Sequence, residues 1–342
     1  MFCLDMSAST NGLIDRFRDH IWDYTHFFST CTPVPEYRIG VVGFSRPSFK
    51  RETGYVKVLK DLTTDMESLS KEVFDLKSSV EKGDQFVGHA LTACAKEISW
   101  SKDSSVIKIL FIVGNGLVNL GGVDFRGAAA ELQSMGVVVN TLFCSTRSFN
   151  RKELNGWAEI AEIGKGKFTS FSVASHYYGD AGVNVNRLRA LNDSLSRTYL
   201  YYGLYGKEHW ETMTDLDRKM YNGNAEGYFY RCLFKISPLY QKKNTSWDLV
   251  DLFTVNGSIN MADINSAYLP DKLAKLSGEE LRKNVVQKKV ERMHVLQDMR
   301  TLAASAKPGE EKKIQSFDVI TLLILHDILQ KNGYVCEANQ EK

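Results

Sequence analysis

The sequence predicts an α/β protein: a three-layer, Rossmann-like domain with a mostly parallel central sheet, followed by a mainly α-helical C-terminal region. Three observations carry this. Short apolar runs recur through residues 1–175, separated by amphipathic segments of helix length, which is the pattern of βαβ units. The run from Val106 to Val113 is almost wholly apolar, as a strand covered on both faces requires. Beyond about Ser175 the strand signals stop, and aromatic and charged helical stretches fill 176–342.

Taken in order, Phe2–Leu4 is the first strand. Leu13, Phe17, Ile21, Tyr24 and Phe28 then recur at three- and four-residue steps, giving an amphipathic helix to about Phe28. Pro33 and Pro35 break the chain before the buried strand Tyr37–Phe44, and Tyr55–Leu59 alternates as an edge strand does. Asp65 opens a helix over about 65–79. In the next helix Val87, Leu91, Cys94 and Ile98 share one face. The strand ending at Val113 runs into Gly114-Asn115-Gly116. A helix over about 125–135 leads to the strand Val137–Phe143, and a helix over about 152–163 leads through Gly164 and Gly166 to a last strand, Lys167–Ser172.

The C-terminal region is helical over about 184–235 and irregular over 244–275. Ser277-Gly278-Glu279-Glu280 is a capping box that opens a long helix to about Ala304. Its expected apolar seam is Val286, Val290, Met293, Leu296, Met299 and Leu302. Lys307-Pro308-Gly309 ends it, and a final helix over about 317–331 stops at Gly333. The aromatic group Tyr199, Tyr201, Tyr202, Tyr205 and Trp210 is expected at the seam of the two regions.

Composition narrows the function classes. With 342 residues, 43% hydrophobic and 25% charged, the chain can build a substantial core. A formal charge of +2, with no long basic stretch interleaved with aromatics, argues against a nucleic-acid surface. The apolar run Val319–Leu325 is too short to span a bilayer, so the chain is expected to be soluble as given. The six cysteines are dispersed, without Cys-x-x-Cys or zinc spacing, and are expected as unpaired buried thiols. Four residues precede Asp5, against ~5–6 for an ordinary strand, which points to a start upstream of Met1 and a signal peptide with it. Compartment stays open. Asn192, Asn244 and Asn256 begin glycosylation-type triplets that short patterns produce by chance.

The chemistry concentrates where the first strand ends. Asp5-Met6-Ser7-Ala8-Ser9 places a carboxylate and two hydroxyls on the loop leaving a buried strand. In an open parallel sheet that is where ligands bind, and hard oxygen donors suit Mg²⁺ or Mn²⁺. The alternative use of the same residues is to cap the helix that follows. Asp5-Met6-Ser7 lacks the second carboxylate of the Asp-x-Asp phosphatase pattern. Gly164-Lys165-Gly166-Lys167 lacks phosphate-loop spacing and lies between helix and strand in the wrong order. The seven histidines form no His-x-x-x-His pair.

Asp-x-Ser-x-Ser at a strand end resembles the first motif of the metal-ion-dependent adhesion site (MIDAS) of von Willebrand factor type A (VWA) domains. The likeness extends to Arg38-Ile39-Gly40-Val41-Val42-Gly43-Phe44, to Leu62-Thr63-Thr64-Asp65, to Lys82-Gly83-Asp84 through Ala90-Leu91, and to Phe111-Ile112-Val113-Gly114-Asn115. Val139–Cys144, Trp157–Ala161, Leu191–Leu195 and Ser246–Asp251 also resemble a poorly characterised microbial subgroup of that family, one with a helical C-terminal extension. The resemblance implies a VWA-like domain over 1–175 and metal ligands Asp5, Ser7, Ser9, Asp84 and Asn115. It implies a non-enzymatic adhesion or protein-interaction role, in which a bound Mg²⁺ or Mn²⁺ takes its last oxygen from a partner's acidic residue. The departures are Asp84 where the family often has Thr, Asn115 in place of Asp, Lys82 in place of Gly, and Gln85-Phe86 in place of Thr-Pro. They leave a second reading, a metal-independent scaffold with a vestigial site. The third is a metal-assisted hydrolase, for which no general base stands out.

Overall fold

The computed structural model describes residues 1–10, 12–76, 82–145, 151–172, 182–306 and 316–336. Its first half runs β1 (Phe2–Asp5), α1 (Leu13–Ser29), β2 (Ile39–Phe44), β3 (Lys57–Thr63), α2 (Met66–Asp75), α3 (Val87–Lys96), β4 (Lys108–Gly114), α4 (Phe125–Ser134), β5 (Val137–Ser145), α5 (Arg151–Ile163) and β6 (Lys165–Ser172). The second half runs α6 (Val185–Ser196), α7 (Gly206–Gly223), α8 (Ala225–Lys235), α9 (Pro238–Asn244), α10 (Leu249–Val255), α11 (Asp271–Ala274), α12 (Gly278–Ala304) and α13 (Phe317–Lys331). The expected helix end near Ser79, the change of pattern at Ser175 and the Lys307-Pro308-Gly309 stop lie outside the described residues.

The chain divides into two compact units. The first comprises residues 1–20, 31–177 and 313–342; the second comprises 21–30 and 178–312.

In the first unit the strands form one sheet in the order β3-β2-β1-β4-β5-β6. All neighbours are parallel except β2 and β3, so the sheet is mostly parallel, with an antiparallel edge strand. Period-two alternation divides β1 between the faces. Cys3 joins an apolar core with Leu91 and Cys94 of α3, Ala129 and Leu132 of α4, and Trp157 and Ile160 of α5. Phe2 turns the other way, onto Phe17 of α1 (4.8 Å between ring centroids), Phe111 (5.3 Å) and Phe317 of α13 (6.3 Å). Helices therefore cover both faces, the three-layer arrangement expected. α13, though last in sequence, belongs to this unit and packs on the sheet.

One sequence expectation is overturned here. Cys31 and Cys336 form a disulfide, while Cys3, Cys94, Cys144 and Cys232 are free and buried. The two partners are 305 residues apart, so no local spacing could reveal the pair. Beside the bond, Thr32 and Val335 exchange backbone hydrogen bonds of 2.7 and 2.9 Å.

The second unit is helical and holds two buried polar centres. Asp217 of α7 accepts from Arg231 Nε (2.6 Å) and Lys235 Nζ (2.6 Å) of α8 and from Asn192 Nδ2 (2.9 Å) of α6. Arg292 of α12 donates from Nη1 to Asp248 (2.5 Å), pairs with Asp251 (2.6 Å), and donates to the Thr198 hydroxyl and carbonyl. The capping box of α12 forms as expected. Its seam does not. Leu281, Val285, Arg292, Leu296 and Met299 face inward, while Val286, Val290 and Met293 are exposed. A charged residue occupies the inner face because its ion pairs satisfy it there, and hydrophobic periodicity cannot anticipate that. Of the aromatic group, Tyr199 packs on Trp247 and Tyr201 on Trp210 within this unit, while Tyr205 is exposed. Asn192 and Asn244 are buried and hydrogen-bonded, so neither presents a glycosylation site.

Candidate metal centre

The sheet order reverses direction between β1 and β4: β2 and β3 continue one way, β5 and β6 the other. Such a switch point opens a crevice at the carboxyl ends of the strands. Asp5 ends β1, and Asn115 follows the last residue of β4, so the topology brings the two to the same crevice.

The loop leaving β1 is tightly bound. Asp5 Oδ1 accepts from the Ser7 N–H (2.8 Å), and the Thr10 hydroxyl donates to the Asp5 and Ser7 carbonyls (2.9 and 3.1 Å). These bonds turn the serine side chains in one direction. Ser7 Oγ and Ser9 Oγ are 2.8 Å apart, and Ser9 Oγ donates to Asn115 Oδ1 at 3.0 Å. Depth grades from a buried Asp5 and Ser7 to an exposed Ser9.

Close backbone approach makes the crevice. A Cβ at Gly114 would sit 2.7 Å from Asp5 Cβ, and one at Gly83 would sit 1.8 Å from the Ser45 carbonyl oxygen. Gly116 has φ +82°, a conformation open to glycine, and its carbonyl accepts from the Trp157 indole at 3.0 Å.

Asp5 is the electrostatic centre. Burial pushes its carboxyl pKa up to about 6, against the Ser7 N–H and hydroxyl, the Asn115 N–H and the Ser45 hydroxyl, which favour the anion. Among the described residues neither Oδ2 nor the Ser45 Oγ makes a hydrogen bond of good geometry, although both are buried. An acceptor so placed lacks a positive partner.

The expected ligands divide in the structure. Asp5, Ser7, Ser9 and Asn115 come together. Asp84 is exposed, and its carboxylate makes no hydrogen bond or ion pair among the described residues. Gln85, its neighbour, reaches the serines instead, with Nε2 at 3.4 Å from both hydroxyl oxygens. Sequence reasoning passed over Gln85 as a departure from Thr-Pro. The signal available was its place in the loop, next to the residue that was chosen.

The oxygens fit a small hard cation. Octahedral Mg²⁺ with ligands at ~2.0–2.1 Å has neighbouring oxygens about 2.9 Å apart, and the Ser7–Ser9 and Ser9–Asn115 spacings are 2.8 and 3.0 Å. The set supplies one carboxylate, two hydroxyls and an amide carbonyl, all donors such an ion accepts.

No family model matches the sequence, and no curated protein is similar to it at a significant level. Solved structures overlap about half of the chain. One is an aerotolerance-related membrane protein from Bacteroides fragilis NCTC 9343, with 17% identity, TM-score 0.34, and coverage of 50% of this chain and 89% of that one. Another is proximal thread matrix protein 1 from the mussel byssus with a zinc-occupied MIDAS motif, at 16% identity, TM-score 0.38, and coverage of 51% and 41%. A third is the SpRpn10 VWA domain, at 12% identity, TM-score 0.36, and coverage of 52% and 88%. No helix among the described residues is long and apolar enough to cross a membrane.

Proposed function

We propose that the first unit, a VWA-like domain by its three-layer, mostly parallel architecture, is a non-enzymatic protein-binding module that works through a divalent cation. Asp5, Ser7, Ser9 and Asn115 would hold Mg²⁺ or Mn²⁺, and a carboxylate of the partner protein would complete its shell. The observation that carries this reading is Asp5 Oδ2, a buried acceptor with no hydrogen bond of good geometry among the described residues, on the loop whose Ser7 and Ser9 hydroxyls and the Asn115 carbonyl follow one another at 2.8 and 3.0 Å. Serine hydroxyls and an amide carbonyl are neutral, so one carboxylate leaves a bound dication with net positive charge. That residual charge would draw an anionic oxygen from outside. Asp84, the remaining expected ligand, is exposed and makes no side-chain hydrogen bond among the described residues; a bridging water would let it join.

A specific observation favours a second reading. Gln85 donates to both serine hydroxyls, and Asp84 stands away from them. A cluster satisfied by an amide can serve as a metal-independent structural element of a scaffold.

Calorimetric titration of Mg²⁺ and Mn²⁺ into chelator-treated protein separates the two. One-site binding that disappears in Asp5→Ala is the expected result. Absence of heat from either ion in the wild-type protein would establish the scaffold reading.

A further inference from the structure

The rim of the crevice has a chemistry of its own. The segment following β2, residues 45–55, packs against residues 82–89 at three points. Gly83 abuts the Ser45 carbonyl, Gly54 abuts the His89 ring, and Tyr55 packs tilted against Phe86 at 5.3 Å between centroids. Gln85 ties the second of these segments to Ser7 and Ser9. Both segments therefore stand at the edge of the candidate metal centre. Together they carry Arg46, Lys50, Arg51 and Lys82 against Glu52 and Asp84. Arg46 is held over the Phe49 ring at 5.7 Å. Lys50, Arg51 and Lys82 are exposed and make no ion pair among the described residues. Other exposed cations of this unit are paired, as Arg126 is with Glu159 and Lys167 with Asp327, or stand singly, as Lys96 and Lys102 do. Lys50 is also fixed by its backbone, at φ +71°, between two short helical turns.

We propose that this basic rim reads an acidic segment of the partner protein, a run of carboxylates in place of a single one. One carboxylate would complete the cation's shell, as the reading above supposes, and its neighbours would pair with Lys50, Arg51 and Lys82. A dication on one carboxylate and an excess of rim cations act in the same direction, so opposite charge on the partner lowers the energy at both places. Single exposed pairs contribute little, but three acting together with the cation give about tenfold or more in affinity, and they raise the rate of encounter.

The test uses the full chain and two fluorescein-labelled peptides of equal length in a Gly/Ser background, one with a single Asp and one with four consecutive Asp residues. Anisotropy is read in Mg²⁺ and in EDTA, at low and at moderate salt. The expected result is about tenfold tighter binding of the four-Asp peptide, falling with salt. In the triple variant Lys50→Glu, Arg51→Glu, Lys82→Glu that preference disappears, while the heat of Mg²⁺ binding is unchanged and far-ultraviolet circular dichroism reports an intact fold. The charge-keeping variant Lys50→Arg, Arg51→Lys, Lys82→Arg retains the preference. Equal affinity for both peptides, or a preference that survives the charge reversal, overturns the proposal. The EDTA arm keeps it separate from the metal reading. Loss of Mg²⁺ binding overturns that reading, while a preference for four Asp residues that depends on the rim without metal still upholds this one.

Discussion

Ser9, on the loop after β1, donates its hydroxyl hydrogen to Asn115 Oδ1, on the loop after β4, at 3.0 Å and across 106 residues of sequence. This bond joins the two sides of the switch point. In this contact the amide oxygen of Asn115 faces the serines. On the proposed reading that oxygen would be a ligand, and it carries no charge.

Asn115→Asp therefore tests what the missing charge costs. The carboxylate would keep the acceptor in place and add a second anion to the set. Calorimetry should show Mg²⁺ affinity rising by about tenfold or more, an increment of ~1.4 kcal/mol per factor of ten. Unchanged affinity would mean that the amide oxygen does not face the ion.

The contact of Gly83 with Ser45 gives a stability prediction independent of any ion. A methyl group at Gly83 would collide with a backbone carbonyl that lies between a strand end and a buried side chain. Gly83→Ala should cost at least ~1–3 kcal/mol in urea unfolding. Gly223, where an added Cβ meets no atom within 4 Å, is the control on α7. An equal effect at both positions would remove the packing argument.

Arg292 separates two buried carboxylates, Asp248 and Asp251. Burial, and repulsion from Asp248, push the Asp251 carboxyl up to about 6 even with the guanidinium present. Arg292→Met keeps most of the volume and leaves the two carboxyls side by side without a counterion, so that one of them must take up a proton. We expect a loss of about 3–5 kcal/mol at pH 7. A loss below 1 kcal/mol by denaturant unfolding would show that the pair is dispensable.

Much of the sheet was legible because buried parallel strands announce themselves. Ile39–Phe44, Lys108–Gly114 and Val137–Ser145 are apolar runs bounded by turns, joined by helices and, between the first two, by the edge strand β3 as well. The α1 face of Leu13, Phe17, Ile21, Tyr24 and Phe28 is buried as the periodicity requires. What stayed hidden depends on partners distant in sequence. The seam of α12 turns on Arg292, which is interior only because Asp248 and Asp251 lie beside it. The Cys31–Cys336 bond depends on α13 returning to the first unit. At the site, the serines and Asn115 stand out as motif residues at strand ends, whereas Gln85 reaches them through a long side chain that no motif marks.

The disulfide makes a chemical prediction. Alkylation of denatured, unreduced protein should label Cys3, Cys94, Cys144 and Cys232 and leave Cys31 and Cys336 unlabelled. Peptide mapping should recover those two as one linked pair. Reduction should lower stability by roughly 2–5 kcal/mol, since the bond closes almost the whole chain into a loop. Six labelled cysteines in protein matured under oxidising conditions would contradict the pairing.

Asp217 gives the pH dependence its sign. Burial alone would raise its carboxyl, but Lys235 and Arg231, with hydrogen bonds from Lys235 and Asn192, outweigh that and hold it below the ordinary aspartate value. A carboxyl with a lowered native pKa takes up its proton more readily in the unfolded chain. The stability it contributes is therefore complete above the unfolded value, near 3.8, and is lost as pH falls through the native value. Asp217→Asn removes the anion while keeping its shape, and leaves Arg231 and Lys235 facing each other. The difference in unfolding free energy between wild type and variant should be about 3–5 kcal/mol at pH 7, steady down to about pH 5, and smaller at pH 3. A difference that stayed constant from pH 7 to pH 3 would mean that hydrogen-bond geometry, and not the charge of Asp217, holds α6, α7 and α8 together.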